Sequence, residues 1–316
     1  MAGYLIKRTI YFVMLLFSVS VIVFLAMRLV PGDPIVHLAG PFATEAQREE
    51  IRKGYGLDQP LVIQYGKWFN KAIRGDLGRS MQLRVPVTAL LTTKLLNTLV
   101  LVAGAMAIAI GIGWTWGIAA GLNPNSWIDR TALVFSLSGI SLPAFWFGMI
   151  LIIAFAINSS IFPASGIVSQ RGDGGGIVDV LWHLALPAVA TAVLPAGMLV
   201  RMTRTAVIDL ARMPFVSALY ARGLPRNLII RHVMRNAFPT ILNVTGMQAG
   251  FLLTAAIFTE VVFNWPGLGL QIFTAVTGQD YTVVQGAVLF VSFMFLVFNI
   301  IVDILRPLFD PRIALS

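Results

Sequence analysis

Cysteine, histidine and charged residues are scarce in this sequence. Among its 316 residues there is no cysteine, histidine occurs three times, and charged residues make up 12%, about half the share usual in soluble domains. Without cysteine the chain has no disulfide framework and no thiol chemistry. The histidines, His37, His183 and His232, are far apart in sequence and form no His-Glu-x-x-His motif, so a metal site is not expected.

The sequence also lacks a phosphate-binding loop and paired charges in its apolar stretches. The glycine-rich run at 172–176 has the composition of a flexible linker and no Gly-Lys-Ser/Thr ending, which argues against a nucleotide site there. The absence of paired carboxylates and of a proton-relay series argues against an ion-coupled carrier or a stand-alone channel. A chain that moves solute against a gradient would therefore need a partner to supply energy.

Long apolar stretches are abundant. Hydrophobic residues make up 57% of the chain, and six runs without acidic or basic residues, each roughly 19–27 residues long, are long enough to cross a hydrocarbon core of about 30 Å as helices. Helix is favoured over strand because lipid cannot satisfy free backbone groups and the runs lack period-two alternation. We predict an all-α polytopic membrane protein with six transmembrane helices. The runs are 9–27, 95–121, 131–157, 181–200, 237–259 and 282–302.

The first apolar run directly follows Lys7 and Arg8, as the apolar part of a signal peptide follows its basic residues. The run is too long for such a part, and the Val30-Pro31-Gly32-Asp33 stretch after it is not a small-residue cleavage site. We therefore expect a retained first helix within the segment 1–30.

A basic block at 201–236 interrupts the apolar pattern. It carries seven arginines and a single acid, Asp209, and its composition predicts a loop outside the lipid that binds a partner. Because basic loops favour the cytoplasm and the number of helices is even, the block and both termini are expected to be cytoplasmic. Topology then accounts for most of the net charge of +9, and nucleic-acid binding is not expected.

The long segment 31–94 is predicted to be an external insertion. Thr44 and Gln47 have the spacing of a capping box at the start of a short helix, which ends at Gly54. A second helix is expected to begin near Pro60, with an apolar face that lies on the membrane or on the transmembrane bundle. That face contains Leu61, Tyr65, Trp68, Phe69 and Ala72.

Small residues and one acid mark the apolar runs. Gly113, Gly117 and Gly121 recur every four positions, which allows close helix packing within the chain or, as the alternative, in a dimer. Glu260 lies at the outer end of the fifth run, where an acid is costly. It either snorkels, forms a structural hydrogen bond, or belongs with Trp265 to a gate or transport path.

An intramembrane hydrolase is the alternative from another class. It would need a serine nucleophile and a histidine base at membrane depth, and Ser141 and His183 are formally available. No motif marks Ser141 as activated, so structural roles are expected for both residues.

Nine short motifs occur in order across nearly the whole chain. They are Pro31-Gly32-Asp33-Pro34, Gly56-Leu57-Asp58-Gln59-Pro60-Leu61, Gly75-Asp76-Leu77-Gly78-Arg79-Ser80, Phe162-Pro163-Ala164-Ser165-Gly166, His183-Leu184-Ala185-Leu186-Pro187-Ala188, Arg231-His232-Val233-Met234-Arg235-Asn236-Ala237, Val262-Phe263-Asn264-Trp265-Pro266-Gly267-Leu268-Gly269, Asp280-Tyr281-Thr282-Val283-Val284-Gln285-Gly286 and Asp310-Pro311-Arg312. In this register the chain resembles the first permease subunit of dipeptide/oligopeptide/nickel-type ABC importers. The resemblance implies a type I ABC importer fold with 95–316 as the core permease domain.

The resemblance also implies partners and a cargo. The chain would form a heterodimer with a second, homologous permease in a bacterial inner membrane, surrounded by lipid. Two cytoplasmic ATPase subunits or domains would bind ATP and magnesium, so this chain would be no enzyme and would hold no cofactor. An extracytoplasmic solute-binding protein would deliver di- or oligopeptides, or alternatively nickel, a metal–metallophore complex, glutathione or an opine-like solute.

The middle of the basic block resembles the family's coupling loop. Its residues are Phe215, Val216, Ser217, Ala218, Leu219, Tyr220, Ala221, Arg222, Gly223 and Leu224. Ser217 stands where the family has an acid, and Met213-Pro214-Phe215 replaces the common Gln-Asp-Tyr. A short helix with Pro214 in its first turn and Gly223 at its end can present one face to an ATPase. We expect a bulky residue at Gly223 to uncouple transport and leave the membrane fold intact.

Overall fold

The computed structural model describes residues 2–29, 35, 43–54, 58–169 and 175–309. The motifs at 31–34 and 310–312 lie outside these residues, as do the first two residues of the motif at 56–61 and most of the glycine-rich run at 172–176.

Helices make up most of the described chain. They are α1 (Ala2–Leu29), α2 (Glu45–Gly54), α3 (Leu61–Ile73), α4 (Val87–Leu122), α5 (Trp127–Ser141), α6 (Ala144–Leu151), α7 (Ile177–Ala211), α8 (Pro214–Ala221), α9 (Arg226–Val262), α10 (Leu268–Thr277) and α11 (Tyr281–Phe309). A π-helix, Ile152–Ile157, continues α6. The β-pairing found in these residues is an isolated bridge between Arg79 and Pro86.

The long helices correspond to the predicted spans. Among the described residues, five helices (α1, α4, α7, α9 and α11) are long and apolar enough to cross a membrane. A bent pair, α5 with α6 and its π-helical extension, supplies a sixth crossing if it is counted as one span. The predicted all-α polytopic fold is confirmed.

The third span is bent. The uniform apolar composition of the run 131–157 predicts one straight helix, and the structure has two helices with a break between them. The chain bends by 105° between the two arms of this pair. Leu142, between them, is extended (φ −86°, ψ 125°) because the ring of Pro143 disfavours a helical conformation in the preceding residue.

The basic block connects the fourth and fifth spans, and besides the expected short helix most of its other residues are helical as well. α7 continues to Ala211 and α9 begins at Arg226, with α8 between them. Charge keeps these residues out of lipid but does not oppose helix, since arginine is a good helix former. The spans therefore extend as helices beyond their apolar runs.

Contacts divide the chain into two compact units, each with its own core. The first contains the described residues before Thr98 together with Gly267–Val297. The second contains the described residues of Thr98–Pro266 and the end of α11.

In the first unit, α3 packs its aromatic face on α1. The ring of Phe17 lies 6.4 Å from that of Tyr65 and 5.7 Å from that of Phe69, and Phe24 lies 5.3 Å from Tyr65. The hydroxyls of Tyr65 and Ser20 share a hydrogen bond of 2.8 Å. The predicted apolar face of α3 therefore contacts a transmembrane helix.

The expected capping box starts α2. Thr44 donates its backbone N–H to the side-chain oxygen of Gln47 at 2.9 Å, and Gln47 donates its own to the Thr44 hydroxyl at 3.4 Å. These bonds satisfy donors that the first helical turn leaves free.

Two of the sequence motifs meet in the first unit around a buried carboxylate. Asp280 is 2% exposed and accepts hydrogen bonds from the Ser80 hydroxyl at 2.5 Å and from the backbone N–H of Gln82 at 3.2 Å. Gly78 has φ +89°, and a Cβ there would lie 2.9 Å from the Thr282 side chain. These motifs hold together segments that are 200 residues apart in the chain.

In the second unit, α4 and α7 pack closely along the predicted glycine stripe. A Cβ at Gly113 would clash with Leu199, one at Gly117 would lie 2.7 Å from Thr203, and one at Gly121 would lie 2.7 Å from Val207. The glycines therefore serve packing within the chain, as the first interpretation of the stripe predicts.

Candidate coupling site

The short helix α8 begins just after α7 ends. Met213 precedes it in an extended conformation (φ −69°, ψ 148°), and Pro214 occupies the first helical position. Proline suits this position because its fixed φ favours the helix and its missing N–H is not needed there. The helix expected around 215–220 is therefore present.

A Schellman motif closes the other end of α8. Leu224 donates its N–H to the carbonyl of Leu219 at 3.3 Å, and Gly223 donates to that of Tyr220 at 2.9 Å. Gly223 has φ +73°, a conformation that strains residues with a Cβ. A Cβ at this position would meet no atom within 4 Å. Glycine is therefore favoured here because of the backbone conformation and not because a side chain would clash.

One face of α8 packs into the second unit. Val216 is buried, and Phe215, Leu219 and Leu224 are half-buried. Burial of such side chains stabilises by about 1.5–3 kcal/mol each when complete, so apolar contact fixes α8 to the adjoining ends of α7 and α9. The buried members of the cluster besides Val216 are Val207, Ile229, Val233, Ala237 and Ile241.

The opposite face of α8 and its C-terminal cap are exposed and consist mainly of small residues. Tyr220, 57% exposed, is a large side chain among them. Small side chains let another protein approach the helix backbone closely, and an exposed helix can bind in a groove on a partner. Seven of the ten predicted coupling residues lie in α8, and the remaining three, Arg222, Gly223 and Leu224, form its C-terminal cap. The exposed ones among the ten are Ser217, Ala218, Tyr220, Ala221, Arg222 and Gly223.

Arg204 differs from the other arginines of the basic block because it forms an ion pair. Its Nε and Nη2 donate to the two carboxylate oxygens of Asp129, the second at 2.9 Å. The Asp129 side chain is 3% exposed, so this bidentate pair is largely removed from solvent. The exposed arginines are Arg201, Arg212, Arg222, Arg226, Arg231 and Arg235.

Asp129 is a residue that the sequence interpretation missed. It lies in the first turn of α5, where Ser126 caps the helix by accepting from the Asp129 N–H at 3.3 Å. Its carboxylate also accepts from the backbone N–H of Asn125 at 2.9 Å. The pair with Arg204 joins the start of the bent span to α7. A Ser-x-x-Asp helix start was the available signal, but nothing in the sequence pointed to a partner 75 residues away.

Glu260 and Trp265 are both fully buried in the second unit. Thr98 donates its hydroxyl to Oε1 of Glu260 at 2.6 Å, and the backbone N–H of Trp265 donates to the backbone carbonyl of Glu260 at 2.8 Å. Snorkelling of Glu260 is therefore wrong, and a structural hydrogen bond is confirmed. The role in a gate or path stays a prediction.

The residues of the alternative hydrolase have other contacts. Nδ1 of His183 lies 2.9 Å from the carbonyl oxygen of Asp179, and Ser141 is exposed at the end of α5. The Asp179 carboxylate accepts from the Ser169 N–H at 2.6 Å and hydroxyl at 2.8 Å. Within the described part of the chain, no group of three or more histidine, aspartate or glutamate side chains is arranged to hold a metal ion.

Fold and site together define a polytopic membrane protein that exposes a short helix between two of its spans. Residues 110–315 match the protein family described as binding-protein-dependent transport system inner membrane component. Residues 1–101 match the family that describes the N-terminal region of these membrane components. The chain belongs to this family. It is therefore the permease subunit of an ABC importer and a multi-pass inner-membrane protein, not an enzyme, and such importers include ATPase and solute-binding partners.

The curated relatives match over almost their full length. The chain is 33% identical over 335 residues to the dipeptide transport system permease protein DppB of Escherichia coli K12 (99% of each chain). It is 35% identical over 314 residues to the glutathione transport system permease protein GsiC of the same strain (99% of each). A putative peptide permease protein of Brucella suis biovar 1 is 33% identical over 320 residues (100% of each).

A solved structure shares the fold. A chain of the MetNI methionine ABC transporter in an inward facing conformation aligns with a TM-score of 0.55 and 17% identity, over 70% of this chain and 96% of that chain. The predicted type I ABC importer fold is confirmed by this likeness and by the family.

Proposed function

We propose that this chain is one of two different, homologous permeases in an ATP-driven peptide importer, and that α8 is the helix on which an ATPase acts. Two ATPase subunits or domains bind ATP and magnesium in this proposal, and an external solute-binding protein delivers the cargo. The observation that carries the coupling role is the exposed, small-residue face of a helix whose other face is packed on two spans.

In the proposed topology both termini and the block 201–236 are cytoplasmic. The segment 31–94 is then an external insertion between 1–30 and the core permease domain 95–316. The concentration of exposed arginines around α8 supports this orientation, because basic segments between spans favour the cytoplasm.

The packing of α8 supports a rigid-body mechanism of coupling. A displacement of α8 is passed through its apolar cluster to α7 and α9, because close-packed interiors transmit strain. The Asp129–Arg204 pair extends the same movement from α7 to the bent span. Glu260 and Trp265, buried and hydrogen-bonded, are proposed to hold the far end of α9 while the pathway alternates between its open states.

Di- or oligopeptides are the proposed cargo. Relatives named for dipeptide and for glutathione transport support this choice, and glutathione is itself a tripeptide. Glutathione is the second candidate for the same reason. Mass spectrometry of the ligand in the co-purifying binding protein, followed by uptake of that labelled ligand into proteoliposomes, tests the choice. Transport of nickel or an opine with no peptide uptake would overturn it.

Bulk added to the exposed face of α8 tests the coupling role. Ala218→Trp is expected to leave the assembled complex intact, to lower uptake more than tenfold and to abolish the stimulation of ATP hydrolysis by loaded binding protein. Ala218→Ser keeps a small residue at the same position, and Thr205→Trp places equal bulk on an exposed position of α7. Both controls are expected to transport normally, and normal uptake by Ala218→Trp would contradict the proposal.

A further inference from the structure

The first turns of α9 line a cavity of about 550 Å³ that the proposed transport function does not use. Leu228, Arg231, Arg235 and Phe238 follow one another at steps of three and four residues, so they form one stripe about 15 Å long on the helix. The residues that line the cavity are Leu228, Arg231, His232, Met234, Arg235 and Phe238.

The middle of this stripe carries positive charge without a counter-charge. Arg231 and Arg235 are exposed, and among the described residues neither has a hydrogen-bond or ion-pair partner for its guanidinium group. This distinguishes them from Arg204, whose charge Asp129 neutralises. A phosphate group would complement two neighbouring guanidinium groups, which bind phosphate through parallel N–H donors.

One end of the stripe is apolar and fixed. Phe238 is 44% exposed, and its ring makes an edge contact with Trp114 at 5.7 Å. Trp114 is held in turn by a hydrogen bond from its indole N–H to the Thr245 hydroxyl at 3.1 Å. Phe238 also lies at the start of the apolar run 237–259, so this end of the cavity leads toward the hydrocarbon part of the membrane.

We propose that the cavity binds one anionic phospholipid, with the phosphate on Arg231 and Arg235 and an acyl chain along Phe238. Basic pockets beside transmembrane helices on the cytoplasmic side are suited to anionic headgroups. A carboxylate of a protein partner would neutralise the two arginines but would leave the apolar wall at Phe238 uncovered. A phospholipid complements both the charges and the apolar wall. The inference takes from the proposed function only the side of the membrane.

Lipid retention by the complete importer complex tests the site. The complex, purified through this chain, is equilibrated in micelles that contain phosphatidylcholine and increasing phosphatidylglycerol, and bound phosphatidylglycerol is counted by mass spectrometry. The double variant Arg231→Gln/Arg235→Gln is expected to bind about thirtyfold more weakly, because each arginine near an anionic lipid contributes a factor of about five. Arg130→Gln/Arg212→Gln removes the same charge from exposed positions outside the cavity and is expected to change affinity less than twofold.

Two further variants separate lipid from other ligands. Phe238→Ala is expected to weaken phosphatidylglycerol binding severalfold, and inorganic phosphate is expected not to displace the lipid. Arg231→Lys/Arg235→Lys keeps the charge and is expected to retain most of the binding, which guards against a loss caused by misfolding.

Three results would overturn the inference: unchanged lipid affinity in the double glutamine variant, an equal loss in the Arg130/Arg212 control, or displacement of the lipid by inorganic phosphate. Unchanged lipid affinity with loss of a partner subunit would assign the cavity to a protein interface instead. Because transport is not measured, failure here is distinguishable from failure of the proposed coupling role.

Discussion

The helix α8 and the polar pairs inside the second unit are held in opposite ways. Apolar side chains hold α8 from one side, and its other side is exposed. The pair Thr98–Glu260 is buried and the pair Asp129–Arg204 is partly buried, and each joins helices distant in sequence. Apolar contact is non-directional, whereas hydrogen bonds weaken steeply with poor geometry. The difference indicates that apolar packing makes α8 move together with the ends of α7 and α9, whereas the polar pairs fix the geometry at which distant helices meet.

The largest effect on stability is expected from removing the Asp129 carboxylate, which breaks the polar pair with Arg204. Asp129→Ala leaves Arg204 without its partner and is expected to lower the free energy of unfolding by about 2–3 kcal/mol. Denaturation of the purified chain in mixed micelles measures it. Asp209→Ala removes an exposed acid from α7 and serves as the control. Equal stability of the two variants would contradict a structural role for the pair.

A smaller loss is expected at the second polar pair. Thr98→Val preserves shape but removes the hydroxyl that donates to Glu260, at a cost of about 1–2 kcal/mol. Thr191→Val is the matched control, since Thr191 is equally buried but donates to Pro187 within its own helix. Thermal denaturation compares the two, and a larger loss at Thr191 would show that the Thr98–Glu260 bond is not a rigid joint.

The end of α8 is expected to be less sensitive in stability than the two polar pairs. Gly223→Ala places a Cβ at φ +73° and is expected to cost about 1 kcal/mol, and Gly223→Asn less, because asparagine tolerates this conformation better. The sequence predicts that a bulky residue at Gly223 uncouples transport. Because the space around this position is open, such a residue would disturb α8 through backbone strain and not through a clash. Uptake and the free energy of unfolding are measured for the original protein, Gly223→Asn and Gly223→Ala. A loss of uptake that is larger for Gly223→Ala than for Gly223→Asn supports this explanation, whereas equal uptake by all three proteins contradicts it.

The smallest effect on stability is expected at Ser217, on the exposed face. Ser217→Glu introduces the acid that the resemblance to the importer permeases implies at this position, and it is expected to change the free energy of unfolding by less than about 0.5 kcal/mol. ATP hydrolysis by the assembled importer is the informative measurement. A change in hydrolysis without a change in stability would show that this face meets a partner, and a loss of stability would contradict its exposure.

The spans and the helix α8 could be predicted from the sequence because local patterns determine them. Charge-free runs of sufficient length specify the transmembrane helices, and Pro214 and Gly223 mark the two ends of α8 in neighbouring turns. The apolar face of α3 followed from spacing alone, as its contacts with Phe17 and Phe24 show.

Features that depend on distant partners could not be predicted. Asp129 finds Arg204 and Ser80 finds Asp280 only after the chain has folded, and no local pattern encodes either pairing. The bend at Leu142 was obscured because apolar composition continues on both sides of it. The helix Leu268–Thr277 was not predicted because ten residues are too few to give a clear periodic signal.

The cap on α8 also has a consequence for reversibility. Because the carbonyls of Ala218, Leu219 and Tyr220 already accept N–H groups from Arg222, Leu224 and Gly223, this end of the helix offers a partner few unsatisfied backbone acceptors. Attachment and release then exchange few hydrogen bonds with water, and shape and contact area set their strength. If α8 has the proposed coupling role, such a joint would open and close through many rounds of ATP hydrolysis without the helix end itself unravelling.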